Sequence, residues 1–185
     1  MSSPIQVLGI SGSLRKGSYN TGLLYAAADL LPESMKLDLF DLSPIPLFNQ
    51  DDELDPPEAV RRLKAHIAAA DALLIATPEY NFSFSGVLKN ALDWASRPMK
   101  DSPLNGKPAA IMGAGGRYGT VRAQMHLRQV LGHVNMHMLN RPELMVAFAS
   151  EKFNADGRLT DPQTREQLKA LLEALAAWTR RLRGH

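Results

Sequence analysis

An α/β sandwich built on a parallel sheet is the fold this chain predicts, and three observations predict it. Short apolar runs alternate with amphipathic stretches about five times along the chain, the rhythm of strands covered by helices on both faces. No internal repeat or low-complexity linker interrupts that rhythm. The loops richest in hydroxyl, aromatic and glycine residues follow the first, third and fourth apolar runs. Right-handed crossovers leave few topologies for such a chain. In the strand order 2-1-3-4-5 the carboxyl ends of strands one and three flank the point where the order reverses, and ligands bind there. That order belongs to the flavodoxin-like three-layer sandwich with a five-stranded parallel sheet, which is the architecture expected here.

The elements follow in order. Ile5–Ile10 reads as a buried strand that empties into SGSLRKGSYN, and a helix is expected from about Asn20 to Leu31. Lys36–Leu42 (KLDLFDL) alternates as a half-buried edge strand should. A Pro- and Asp-rich loop leads to a helix over Pro57–Ala69, with Pro57 suited to its first turn. Ala72–Ala76 (ALLIA) is an apolar strand, followed by TPEYNFSFSG and a helix through LKNALDWAS. Pro108–Met112 is the next strand, then GAGGRYGT and a helix over Val121–Leu131. Met136–Leu139 and Leu144–Phe148 share the last strand region, and Asp161 can cap a long helix that reaches Arg183.

Bulk properties bound the function. A length of 185 residues suggests a single domain, residues 1–185, with a full hydrophobic core. A net charge of +2 gives little field for nucleic acid or an anionic membrane, so neither is expected as a partner. Arg180, Arg181 and Arg183 read as cations at a helix C-terminus, where the dipole favours them. There are no cysteines, which excludes disulfides, thiolate nucleophiles and the usual structural zinc sites. The start MSSPIQVLGI has no basic region and too short an apolar run for a signal peptide, and a cytoplasmic location is expected.

The first loop carries the clearest chemistry. Ser11, Ser13, Ser18, Asn20 and Thr21 can offer side-chain hydrogen bonds to an anion, and Gly12 and Gly17 let the backbone turn its N–H groups the same way. The helix that follows adds its positive N-terminal end, and Arg15 can fork a terminal phosphate. The glycines Gly9, Gly12 and Gly17 have the wrong spacing for the dinucleotide fingerprint. Gly12 to Gly17 matches P-loop spacing, but Ser18–Tyr19 stands where that motif needs lysine and a hydroxyl. Many hydroxyl donors suit a terminal phosphate monoester, and flavin mononucleotide (FMN) is such a ligand. In GAGGRYGT, Gly113, Gly115 and Gly116 allow close approach to a planar ring, and Tyr80, Phe82 and Phe84 offer aromatic surface beside one.

GSLRKGSYN, TPEYNFSFSGVLKNALDW and the glycine loop before HLRQVL together resemble the NAD(P)H-dependent FMN reductases, a group that includes quinone and chromate reductases and is related to the azoreductases. The resemblance extends over nearly the whole chain. It implies that Ser13, Arg15, Ser18 and Asn20 surround the FMN phosphate, with Thr21 at the helix start. It implies that Pro78, Glu79, Tyr80 and Asn81 border the isoalloxazine, largely through backbone groups, and that Ala114, Gly115 and Gly116 close over its other edge. Relatives can carry hydroxyl residues in this third loop where this chain has Ala114 and glycines. The activity implied is hydride transfer from NADPH or NADH through FMN to a small-molecule electron acceptor, by ping-pong kinetics and with no catalytic side chain. A homodimer or homotetramer is implied as well, and Arg117 after the glycine loop reads either as a contact to a 2′-phosphate or, equally, as a surface cation.

Plainer readings stand beside these. In these readings the glycines form only a turn, the serines serve only as caps, Glu79 is a solvated loop acid, and Phe82 and Phe84 pack on the core or on a second subunit. His133 and His137 have helical chelate spacing but no carboxylate to complete a metal site, so no metal is expected. Trp94 reads as core or interface. A flavodoxin-type electron carrier, which has no small-molecule substrate, is the alternative function; such carriers are strongly acidic and this chain is not.

Overall fold

The structure is a computed structural model that describes residues 3–184. Its strands are β1 (Ile5–Ser11), β2 (Met35–Phe40), β3 (Ala72–Ala76), β4 (Pro108–Ala114), β5 (His137–Met138) and β6 (Leu144–Val146). The helices are α1 (Tyr19–Asp29), α2 (Glu58–Ala69), α3 (Gly86–Ala95), α4 (Val121–His133) and α5 (Pro162–Arg183). All pairings are parallel and the order is β2-β1-β3-β4-β5, as expected of the flavodoxin-like sandwich.

Strand periodicity divides the core between two faces. Val7, Leu74, Ala76, Ala110 and Met112 pack with Leu23 and Leu24 of α1 and with Leu168, Leu171, Leu172 and Leu175 of α5. Their neighbours Leu8, Ile10, Leu73, Ile75 and Ile111 pack with α2, α3 and α4 through Leu63, Ile67, Leu88, Leu92, Leu127 and Leu131. Trp94 belongs inside: it is fully buried, and its Nε1 donates to the carbonyl of Pro46 at 2.9 Å.

The last strand differs from a single run. β5 and β6 occupy one sheet position in succession, His137 and Met138 beside Pro108 and Ala109, then Leu144–Val146 beside Met112–Ala114. Pro142 has no N–H to give a ladder. Arg128 of α4 takes up polar groups freed at the break, donating to Leu139 O at 3.3 Å and Asn140 Oδ1 at 3.5 Å. β4 runs two residues past the expected Met112 because Gly113 and Ala114 still pair with Met145 and Val146. β2 stops at Phe40, before the expected Leu42. Asp41 there accepts from Ser43 N at 2.9 Å and Ser43 Oγ at 2.6 Å, a turn that holds its carboxyl below the ordinary carboxylate range.

Helix ends follow their caps. Ser18 Oγ accepts from Thr21 N at 3.3 Å and starts α1 at Tyr19, one residue before the expected Asn20. Pro57 lies just outside α2 rather than in its first turn. Ser85 Oγ accepts from Leu88 N and sets the start of α3 at Gly86. Asp161 caps α5 as expected, accepting from Thr164 N at 2.8 Å and Thr164 Oγ1 at 2.5 Å.

Candidate functional site

The loops after β1, β3 and β4 leave the same edge of the sheet because the strand hydrogen bonds continue into them. Gly12 N donates to Ala76 O at 2.8 Å, Thr77 N to Met112 O at 3.0 Å, and Gly115 N to Val146 O at 3.0 Å. Together they enclose a cleft of about 320 Å³ at the topological switch point. Ser13, Arg15, Ser18 and Asn20 line it from the first loop, Pro78, Glu79 and Tyr80 from the second, and Ala114, Gly115 and Gly116 from the third. Tyr19 and a fourth segment, Phe148–Ser150, complete the lining.

At the β1 end, hydroxyls and helix N–H groups collect. The Oγ of Ser18 receives Thr21 N, which leaves its own O–H free to donate outward. Ser13 Oγ accepts from Arg15 N at 3.4 Å and likewise keeps its proton. The first-turn N–H groups of Tyr19 and Asn20 lie where no helical carbonyl precedes them. Arg15 is exposed, with one nitrogen donating to Gly17 O at 2.8 Å and its remaining N–H groups available. Such a set of donors at a helix N-terminus suits a phosphate monoester.

Three expected phosphate ligands have other partners. Ser11 Oγ and Thr21 Oγ1 hydrogen-bond each other at 2.9 Å, so these hydroxyls brace the loop, and Thr21 stays outside the lining. Asn20 is only 4% exposed. Its amide donates to Ala114 O at 3.0 Å and accepts from Ala114 N at 2.9 Å, which pins the first loop to the third.

The opposite end is walled by backbone. A Cβ added at Gly116 would meet nothing within 4 Å, so open space lies beside that peptide. Tyr80 and Ser83 exchange backbone hydrogen bonds at 2.9 and 3.0 Å around a turn whose central residues, Asn81 and Phe82, have φ of 49° and 69°. Asn81 sits at the exposed tip of that turn, outside the cleft lining. Left-handed conformation at a bulky residue such as Phe82 costs about 1–2 kcal/mol. Phe148 also has a left-handed φ of 50°, and Phe148 N and Ala149 N donate to Gly116 O and Gly115 O at 3.0 and 2.9 Å.

Glu79 is not a solvated loop acid. Its side chain is 8% exposed and ion-paired with Arg122. One carboxylate oxygen accepts from Arg122 Nε at 2.6 Å, and the other from Arg122 N at 3.0 Å and Ala123 N at 3.2 Å, at the N-terminus of α4. The Arg122 guanidinium lies 3.9 Å from the centre of the Phe82 ring and 4.8 Å from that of Tyr118. Arg117 is exposed beside the other side of this group, 5.7 Å from Tyr118. Phe84, by contrast, is partly buried against the α2–α3–α4 core.

The cleft therefore pairs a phosphate-sized cluster of donors with a slot edged by peptide groups and rimmed by Tyr80 and Phe148, each half exposed. A planar ring system on a phosphate tail fits that chemistry. Two parts of the site had no clear sequence signal. The Phe148–Ser150 segment carries no polar motif, and the Glu79 side chain finds a partner 43 residues away.

Comparison with known proteins gives a consistent result. A family model described as NADPH-dependent FMN reductase matches residues 5–151. The chain is 56% identical to an NAD(P)H-dependent FMN reductase of Pseudomonas aeruginosa, with all of both chains covered. It is 48% identical to an NADPH:quinone oxidoreductase of Arabidopsis thaliana over 97% of this chain and 94% of the other. Among solved structures, the flavoenzyme FerB of Paracoccus denitrificans, an NAD(P)H:(acceptor) oxidoreductase, superposes with a TM-score of 0.86 at 37% identity. That superposition covers 96% of this chain and 98% of FerB.

Proposed function

The chain belongs to the NADPH-dependent FMN reductase family, and from that premise we propose that its four-sided cleft holds FMN for the NAD(P)H-dependent reduction of a small electron acceptor. The observation that carries this reading is the cluster of hydroxyl and helix N–H donors opening onto a slot walled by backbone. When bound, FMN supplies the redox chemistry, taking a hydride from NAD(P)H and delivering electrons to a quinone, a free flavin, an azo compound or chromate.

The residues of this chain bind and orient. Ser13, Ser18 and Arg15 hold the phosphate together with the N–H groups of Tyr19 and Asn20. Pro78, Glu79 and Tyr80 set one edge of the ring site, with Asn81 in the turn that carries Tyr80, and Ala114, Gly115 and Gly116 set the other. Thr21 and the Asn20 side chain support these contacts from behind. One open cleft serves donor and acceptor in turn, which makes the kinetics ping-pong, and no side chain is assigned a proton-transfer role. Residues 1–185 act as one FMN-binding domain. The exposed aromatic side chains of Tyr80, Phe82, Tyr118 and Phe148 support a homodimer or homotetramer that covers them. A cytoplasmic location and a small-molecule partner belong to the same reading; among the described residues no helix is long and apolar enough to cross a membrane.

Equilibrium titration with FMN and with riboflavin, which lacks the phosphate, tests the assignment. FMN is expected to bind at least about tenfold more tightly, since charge-assisted hydrogen bonds are worth about 1.5–3 kcal/mol. Arg15→Ala is expected to weaken FMN by a similar factor while turnover at saturating FMN stays near that of the parent enzyme. Equal affinity for the two flavins, or turnover lost with FMN binding intact, would contradict this placement of the phosphate.

A further inference from the structure

We propose that Glu79 and Arg122 are positioning residues, a clasp that holds the loop after β3 and the loop after β4 at one fixed separation across the ring slot; the assignment rests on the FMN reading above. Glu79 comes from one loop, and Arg122 opens the helix that follows the other. Each side also supplies an aromatic ring to the guanidinium, Phe82 from the loop after β3 and Tyr118 from the loop after β4. Ion pair and ring contacts thus converge on one guanidinium, while the same Glu79 carboxylate caps the helix through the backbone N–H groups of Arg122 and Ala123.

Simple capping of α4 would need only the two N–H bonds from Arg122 and Ala123. It would not account for Phe82. A two-residue turn with left-handed φ at both central positions favours Asn-Gly. This chain keeps Asn81 but places Phe82 where glycine would sit without strain, and that ring lies 3.9 Å from the Arg122 guanidinium. The strained residue secures a lid on the ion pair, which a glycine could not provide. The clasp also settles the charge: the Arg122 guanidinium is neutralised by Glu79 and covered by Phe82. Its effect on the site is therefore through loop position, not through a free cation in the slot.

Two variants separate positioning from folding. Glu79→Gln keeps the size but loses the charge and turns one acceptor oxygen into an NH2 donor facing other N–H groups, and is expected to raise the FMN Kd about tenfold. Phe82→Gly relieves the backbone strain and removes the lid. It is expected to leave the apoprotein Tm equal to or above that of the parent, yet to raise the FMN Kd about fivefold. Both variants are expected to change the visible circular dichroism of the bound flavin, which reports the surroundings of the ring. FMN affinity within about twofold of the parent in both variants, with unchanged dichroism, would overturn the clasp. So would a Phe82→Gly protein that loses Tm but binds FMN normally. If Glu79→Gln does not fold, Phe82→Gly decides alone. Failure of the parent protein to bind FMN would overturn the FMN reading itself, and this assignment with it.

Discussion

Asn20→Ala is expected to lower the stability of the apoprotein by about 3 kcal/mol and to raise the FMN Kd at least about tenfold. Asn20 gives Ala114 both a donor and an acceptor, at 3.0 and 2.9 Å, in a buried setting. Truncation leaves an N–H and a C=O buried without partners, at about 1–3 kcal/mol each. The pinned peptide lies at the edge of the cleft beside Gly115 and Gly116, so loss of stability and loss of ligand affinity should appear together. Asn20→Asp separates the two contacts: a carboxylate can accept from Ala114 N but faces Ala114 O as a like partial charge. It should also oppose a phosphate, and weaken FMN more than its stability loss alone suggests. Urea unfolding and FMN titration on the same preparations check this. An alanine variant within 1 kcal/mol of the parent would show that the amide is dispensable to the fold.

Gly113→Ala is expected to cost about 3 kcal/mol, and to lower Tm by roughly 6–12 °C for a chain of this size. A Cβ there would collide with Thr120 Oγ1 and the carbonyl oxygen of Thr77. Thr120 cannot yield cheaply. It is fully buried, and its hydroxyl accepts from Gln124 Nε2 at 3.0 Å while the same amide nitrogen donates to Leu144 O at 2.9 Å. The added methyl therefore strains the junction of β4, β6 and α4, directly behind the third loop. Gly132→Ala is the matched control. That glycine is exposed in α4, an added Cβ would meet nothing within 4 Å, and alanine should stabilise by about 0.5–1 kcal/mol. Thermal unfolding with opposite signs for the two substitutions is the expected result.

Sheet order and the loops around the cleft were legible because each rests on local pattern. The continuous apolar run ALLIA reads as a buried strand, and the donors of GSLRKGSYN lie within a few residues of one another. The two-part fifth strand was half legible. Both segments were visible, but their break depends on Pro142 and on Arg128 reaching Leu139 O. Long-range partners were not legible at all. Asn20 reads as a phosphate ligand until Ala114, 94 residues on, takes both ends of its amide. Glu79 reads as a loop acid until α4 brings Arg122 to it. Phe148 and Ser150 enter the site only because their segment hydrogen-bonds the third loop. Side-chain hydrogen bonds between distant loops depend on the folded geometry, and local periodicity carries no trace of them.

The most direct test of the account is an anaerobic visible absorption spectrum of the FMN-reconstituted, desalted protein, before and after addition of NADPH. A flavin band that stays with the protein and bleaches on adding NADPH, with no second protein present, is the expected result. Protein that emerges without flavin, or bound flavin that keeps its colour in excess NADPH and NADH, would contradict the assignment of this cleft to NAD(P)H-dependent flavin chemistry.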